Sequence, residues 1–435
     1  MVNWLKKNKV TVFLFVLLVF GFFIRTYFIN KSGTGDLMNY IEWGQKLVER
    51  GPKDFYFSED WYYSVPVYPP VSMWMLGGLE ILNQHRYLLA QLHNLIKIPP
   101  SDFIVYFYKW GNIFLIKLPS ILCDLGIAVV IYKLVLKLTK STKKAIIGFC
   151  IFLFNPVSIF LSGAWGQTDS IVGLLGILSF LALLNKNIIL SMPLLFLSIY
   201  FKPSWAVLGP FYLFLIYKMK PKMWQFLVGV GVVVALYIVT TLPFSDGNVF
   251  AYGLRLYQER YPIPIGFDGK ASISAFNFQT IFWRPDIDFS SQKLLGITSA
   301  NLGMFFFLIL NLVAMFNFAK QKDKLTGMLT GIFTVGMGYF LFMPTMLERY
   351  FFPAFPAMII LALTKPKLIL NMVIMNLILF TNLIYSYYRR ESDEIYHFFI
   401  DNNYLLIRVI SIAQVILFTT FISPLMLQFK RERDN

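Results

Sequence analysis

Glu348 and Arg349 stand side by side in MPTMLERYFFPAFP, 343–356, between two strongly apolar runs. An ionisable side chain at membrane depth costs at least ~2.5–3.5 kcal/mol on insertion scales, so it implies a water-filled cavity, a partner or a ligand. The two could satisfy each other, yet a lone ion pair in a low-dielectric site is a weak source of stability. An anion between helices explains Arg349 better, because the guanidinium fork matches phosphate oxygens. Lys202 in YFKPSW is a second cation of the same kind.

Asp36, in GTGDLMNYIEWGQKLVER, follows directly on the first apolar run, with Gly33 and Gly35 freeing the backbone around it. After it Leu37, Tyr40, Ile41, Gly44, Leu47 and Val48 recur at helical spacing against polar residues, the pattern of an amphipathic helix lying in the interface. Two roles stay open for Asp36: the cap of that helix, on the amides of Met38 or Asn39, or a carboxylate base at the outer mouth of the bundle. Tyr68, Pro69 and Pro70 set a rigid extended turn, which also serves as an interfacial anchor. Lys117 and Asp124, seven residues apart on one face of an apolar segment, either line a polar site or pair with neighbours across the bundle. In FNPVSIFLSGAWGQTDSI, Asn155-Pro156 can kink a helix. There Trp165, Gly166, Gln167, Thr168 and Asp169 form an external turn, with Asp169 or Ser170 capping the helix that follows.

The elements that must hold these groups are membrane helices. Hydrophobic residues make up 57% of the 435 and aromatics 18%, and apolar stretches of roughly 20 residues recur along the chain. Windows of roughly 15–25 apolar residues predict about twelve spans, at 11–29, 111–135, 145–162, 170–185, 187–201, 204–217, 224–242, 297–318, 325–343, 350–363, 367–385 and 404–425. The fold class is thus an all-α polytopic membrane bundle, one integral domain over 1–435. The formal charge of +16 does not imply nucleic acid, because the 39 Lys and Arg gather at the ends of the apolar segments, as the positive-inside rule requires. With the N-terminus inside, KLTKSTKK, NKN, KMKPK, KQKDK, TKPK and the tail QFKRERDN all fall on the cytoplasmic side. Both termini are then cytoplasmic in a multi-pass protein of the cell membrane. Lys6, Lys7 and Lys9 precede a first apolar run without a small-residue cleavage site, read as an uncleaved span. Residues 30–110 form one external loop with interfacial helices, including a re-entrant helix at 71–82 containing Glu80, and 243–296 a second. Cys123 and Cys150 lie within apolar segments and read as packing residues.

Taken in order, these stretches resemble the GT-C superfamily of polyprenyl-phosphate-sugar-dependent glycosyltransferases. They are most similar to the dolichyl-phosphate-glucose glucosyltransferase branch and its bacterial relatives. The resemblance runs over nearly the whole chain: Asp36 just after the first span, Tyr68-Pro69-Pro70, Asp124 in LCDLGIAVVIY, FNP at 154–156, Gln167 in the turn, FKP at 201–203, and Glu348-Arg349. It implies that Asp36 is the catalytic base and that Glu348 and Arg349 help form the lipid-phosphate site. Lys202, Gln167, Trp165, Tyr68, Lys117 and Asp124 are the further candidates for lining the substrate site, which is expected to face outward. Relatives commonly carry His before Glu-Arg, where this chain has Leu347, and the eukaryotic ones a His-Phe-Gln type turn, where it has Trp165-Gly166-Gln167.

The implied chemistry is self-consistent. A sugar on a polyprenyl phosphate is already activated, and Arg349, Lys202 or Lys117 can stabilise the departing anion. One carboxylate suffices to take the acceptor proton, unlike the two-carboxylate arrangement of glycosidases, and direct displacement inverts the anomeric centre. The expected partners are a polyprenyl-phosphate hexose donor, a glycan or lipid-linked acceptor of the cell envelope and membrane lipid. No cofactor is expected. No Walker A motif is present, and His85, His93 and His397 lack ligand spacing, so turnover is expected to need no metal. The competing class is a lipid-linked sugar transporter or flippase, against which the chain shows no internal repeat and has large asymmetric outer loops.

Overall fold

In the computed structural model, residues 9–31, 34–260, 269–285 and 287–426 are described. Gly33, the basic residues Lys6 and Lys7, most of the YPIPIGFDG stretch and the tail QFKRERDN lie outside them. The described chain is almost wholly helical, with one short antiparallel pair, Lys293–Leu294 with Ile297–Thr298. Eight of its helices are long and apolar enough to cross a membrane: Lys9–Thr26, Ser101–Thr139, Thr142–Trp165, Met223–Phe244, Ser299–Lys320, Lys324–Phe342, Pro366–Tyr388 and Asp393–Met426. The shorter apolar segments expected to span also form helices, Asp169–Leu184, Ile188–Phe201 and Phe352–Thr364, and 203–219 is a 3₁₀ turn leading into Gly209–Met219.

Three elements depart from their sequence reading. The helix expected at 111–135 is 39 residues long, Ser101–Thr139, with Pro119 inside. At 1.5 Å per residue that is about 58 Å, near twice the hydrocarbon thickness, so it extends well beyond a single crossing. The last helix begins at Asp393 rather than 404, and Asn402, Asn403 and Tyr404 take positive φ there, which divides a short leading segment from the apolar one. The hairpin 293–298 precedes Ser299, whose helix is capped by Thr298 Oγ1.

The core lies around Lys324–Phe342 and Phe352–Thr364, apolar helices buried on nearly every side. The linker between them, 343–351, is the segment that carries Glu348 and Arg349. It is held by residues 271–275. The amides of Ile273, Ser274 and Ala275 all converge on the carbonyl of Met346, and Thr345 N–H donates to Ala271. Buried loop backbone must be paired in this way or it costs as much as a lost hydrogen bond.

The 34–110 segment is equally ordered. Gly35–Arg50 forms the expected amphipathic helix and packs on Pro70–Gln84. A Cβ on Gly44 would stand 2.9 Å from the Leu76 carbonyl oxygen, so the two helices approach backbone to backbone. Both Glu42 carboxylate oxygens accept loop amides, from Tyr62 at 2.6 Å and Tyr63 at 3.0 Å. Glu42 therefore fastens the loop that leads to Tyr68.

Candidate active site

Asp36 sits in the first turn of its helix, but it is not the cap. Thr34 is, its Oγ1 accepting from Leu37 N at 3.2 Å. That corrects the capping alternative and leaves the Asp36 carboxylate for tertiary contacts. Its Oδ2 accepts from Gln167 Nε2 at 2.6 Å and lies 3.4 Å from Arg349 Nη2. The Asp36 side chain is 34% exposed, against 8% for Arg349 and 0% for Glu348, so the cluster has a dry end and a wet end, with Asp36 at the wet one.

Glu348 forms the dry end. Its Oε1 accepts from Arg349 Nη1 at 2.7 Å, and its Oε2 accepts from the hydroxyls of Ser386, at 2.8 Å, and of Ser274. Ser274 is fixed in turn by Asn382, which accepts from Phe276 N and donates to the Ser274 carbonyl. Burial opposes the charge on Glu348, but Arg349 and the Ser274 hydroxyl hold its carboxyl below the ordinary range. Burial likewise opposes the charge on Arg349, and Asp36 and Glu348 overcome it, so the guanidinium stays protonated far above neutral pH. Arg349 also lies over Trp165, 5.5 Å from the ring centroid, a contact that favours Arg over Lys.

The turn that presents Trp165 and Gln167 results from two local breaks. Asn155 caps a short helical turn through Oδ1 on Val157 N, and 160–165 then unwinds into a π turn. Such widened turns recur at functional sites. It closes at Gly166, φ +80°, with Gln167 N donating to Leu161 O at 2.8 Å; a left-handed residue is cheapest as glycine. A Cβ there would also lie 3.1 Å from Lys117 Cε. Lys117 is fully buried, and its Nζ donates to the carbonyls of Gly163 and Ala164 at 2.9 and 3.0 Å. It supports the turn from beneath.

Next to this group is a second one. Lys202 Nζ binds Asp169 Oδ2 at 2.8 Å and lies 5.7 Å from the Tyr68 ring centroid. The expectation that Asp169 caps the following helix is therefore corrected: its carboxylate is turned to Lys202. Tyr68 packs against Trp43 and Tyr40, and Tyr56 Oη donates to its carbonyl at 2.7 Å.

Asp124 stands apart. Its Oδ2 accepts from Arg25 Nε at 2.9 Å and Ser162 Oγ at 2.6 Å, and its Oδ1 from Ser170 Oγ at 2.6 Å. Arg25 also donates to Ser158 and to the carbonyls of Gly21 and Leu153. Both residues are wholly buried, and this network joins the first helix to the bundle; the contacts are those of the cross-bundle pairing weighed for Asp124, with Arg25 as the partner. Arg25, Thr34, Ser274 and Ser386 were not singled out from sequence. Arg25 alone left a signal, a cation within the predicted span 11–29.

Among the described residues, no three His, Cys, Asp or Glu side chains gather in a way that could hold a metal ion. Several buried polar atoms around the site lack a hydrogen-bond partner: Arg349 Nε, Gln167 Oε1, Thr168 Oγ1 and Asp169 Oδ1. Buried polar groups are generally paired. Other unpartnered buried atoms lie elsewhere, Trp205 Nε1, Asn311 Oδ1 and the Gln414 amide among them, but Gln167, Thr168 and Asp169 carry theirs on consecutive residues beside the Asp36–Arg349 pair, where a ligand would supply partners. No protein-family model matches the chain, and no curated protein matches its sequence.

Proposed function

We propose that this chain is an inverting glycosyltransferase of the GT-C type, moving a hexose from a polyprenyl phosphate to a glycan or lipid-linked acceptor of the cell envelope. The observation that supports it most is the contact of Arg349 with both Asp36 and Glu348. It sets one partly exposed carboxylate beside one fixed guanidinium.

In this reading Glu348, Ser274 and Ser386 hold Arg349 in place, and Arg349 receives the donor phosphate. Its unpartnered Nε and the long 3.4 Å contact to Asp36 leave it donors to give. A phosphate arriving there competes with Asp36 for the guanidinium and frees the carboxylate. Asp36 then takes the proton of the acceptor hydroxyl as that oxygen bonds to the anomeric carbon. The bond from the anomeric carbon to the phosphate oxygen breaks, and its electron pair leaves on the polyprenyl phosphate, whose growing charge Arg349 offsets. Backside displacement makes an α-linked product from a β-linked donor.

The same reading takes twelve spans, counting the four shorter helical segments, with both termini in the cytoplasm and the site facing outward. The prenyl tail lies between spans, and the two external loops close over the headgroup.

The test is reconstitution. Purified protein in liposomes is given polyprenyl-phosphate hexoses and envelope acceptors, and products are read by mass spectrometry. Hexosylated acceptor with release of polyprenyl phosphate is the expected result. Movement of intact donor between leaflets without bond cleavage would make the protein a flippase instead.

A further inference from the structure

Gln167, Thr168 and Asp169 are consecutive, each at least 97% buried, and each ends in an oxygen without a hydrogen-bond partner: Oε1, Oγ1 and Oδ1. An unpaired buried acceptor costs roughly 1–3 kcal/mol, and three in a row are hard to retain unless something else satisfies them. The segment is anchored at both ends. Gln167 Nε2 is committed to Asp36, and Asp169 Oδ2 to Lys202. The remaining oxygens therefore sit beside the proposed reacting carboxylate, flanked by the Lys202 ammonium and the Tyr68 ring.

The chemistry of this strip is specific. It offers two pure acceptors, Gln167 Oε1 and Asp169 Oδ1, and one hydroxyl, Thr168, that both donates and accepts, so it suits a ligand rich in O–H groups. Its charge is already balanced by Lys202, so it does not call for a cation. The Tyr68 ring flanks it, with Lys202 Nζ 5.7 Å from the ring centroid. These are the properties of a surface that reads neutral hydroxyls. An ionised phosphate only accepts hydrogen bonds, finds no donor at the Gln167 Oε1 and Asp169 Oδ1 oxygens, and is served by Arg349 instead.

We infer that Gln167 Oε1, Thr168 Oγ1 and Asp169 Oδ1, with Lys202 as the charge that holds the strip, form a subsite for hydroxyl groups of the donor's sugar ring, with Thr168 and Asp169 setting which sugar is accepted. This rests on the transferase reading above and assigns specificity within it. Thr168 discriminates it from a structural role. Its hydroxyl has no partner in the protein, so Thr168→Val removes no internal hydrogen bond. A purely structural role predicts a change in thermal stability with the hexose-lipid preference unchanged.

The experiment measures affinity and transfer separately, with farnesyl phosphate glucose, galactose and mannose, their monodeoxy analogues, and farnesyl phosphate alone. Wild-type protein should bind at least one hexose lipid more tightly than farnesyl phosphate. Thr168→Val should reduce that preference roughly 3–10-fold, and Asp169→Asn by roughly 10–100-fold, the ranges for neutral and charged hydrogen bonds. Each loss should vanish with the deoxy analogue lacking the hydroxyl concerned. Equal affinity of wild type and Thr168→Val for every probe overturns the subsite, even if transfer is seen. Sugar-dependent affinity that the variants lose, with no transfer by wild type, supports the subsite and removes the transferase reading.

Discussion

Nη2 of Arg349 lies 3.4 Å from Oδ2 of Asp36, while Nη1 of the same guanidinium lies 2.7 Å from Oε1 of Glu348. One cation is thus shared between a carboxylate fixed by two serines and another fixed only by Gln167. The asymmetry assigns the roles: the sealed carboxylate orients the cation, and the looser one is free to react.

Asp36→Asn keeps an oxygen that can accept from Gln167 and removes the base. Transfer should fall roughly 10²–10⁴-fold, the range for general base catalysis, with donor affinity within a few-fold of wild type. Product formation and donor binding, measured on the same preparation, check both halves. Equal losses in binding and turnover would instead make Asp36 a binding group.

Arg349→Ala leaves Glu348 buried without its cation, and breaking a buried pair from one side costs about 3–5 kcal/mol. Arg349→Lys should recover most of the thermal stability and little of the donor affinity, because lysine lacks the fork and the stacking on Trp165. Scanning fluorimetry separates these effects from KM for the donor. Full recovery of KM by lysine would remove the bidentate role.

The charges were readable in the sequence because they interrupt or closely follow apolar runs: Asp36, Glu348, Arg349, Lys202 and Asp124 all stand out for that reason. What brings them together was not. The π turn at 160–165 depends on a shifted hydrogen-bond register that no residue type marks. Thr34 was hidden between two glycines that read as backbone freedom. Arg25 lies at the end of an apolar helix, where a cation normally means a headgroup contact, yet it turns inward to Asp124. Helix positions were legible because hydrophobic length is a local property. Partners were not, because pairing across the bundle is set by packing among segments far apart in the chain.

Asp124→Ala tests that structural assignment. It strands Arg25 in the core and should lower stability by about 3–5 kcal/mol. The folded fraction should keep its donor KM, since Asp124 contacts Arg25, Ser162 and Ser170 rather than the Asp36 cluster. Replacing Arg25 and Asp124 together by apolar residues of similar volume should restore much of the loss.

Gly44→Ala probes how the base is carried. The added methyl meets the Leu76 carbonyl at 2.9 Å, a backbone atom that cannot rotate away, so the helix bearing Asp36 must shift. Overpacking of this kind costs about 1–3 kcal/mol, partly offset by the helix preference of alanine over glycine. Turnover should therefore fall more than stability does, and Gly78→Ala, where a Cβ meets nothing within 4 Å, should leave both near wild type.

Glu348 gives a pH signature of known sign. Arg349 and the two serines hold its carboxyl below the ordinary glutamate range despite its burial. Above that range Glu348 is ionised in the folded and unfolded chains alike, and its interactions contribute in full. As pH falls, the unfolded chain takes up the proton first, so the contribution shrinks, and it is gone once the pH has passed below the lowered folded value. Glu348→Gln cannot titrate. The difference in melting temperature between wild type and Glu348→Gln should be largest near about pH 6 and should narrow steadily toward about pH 3. A difference independent of pH would mean that the carboxylate is not the ionised partner of Arg349.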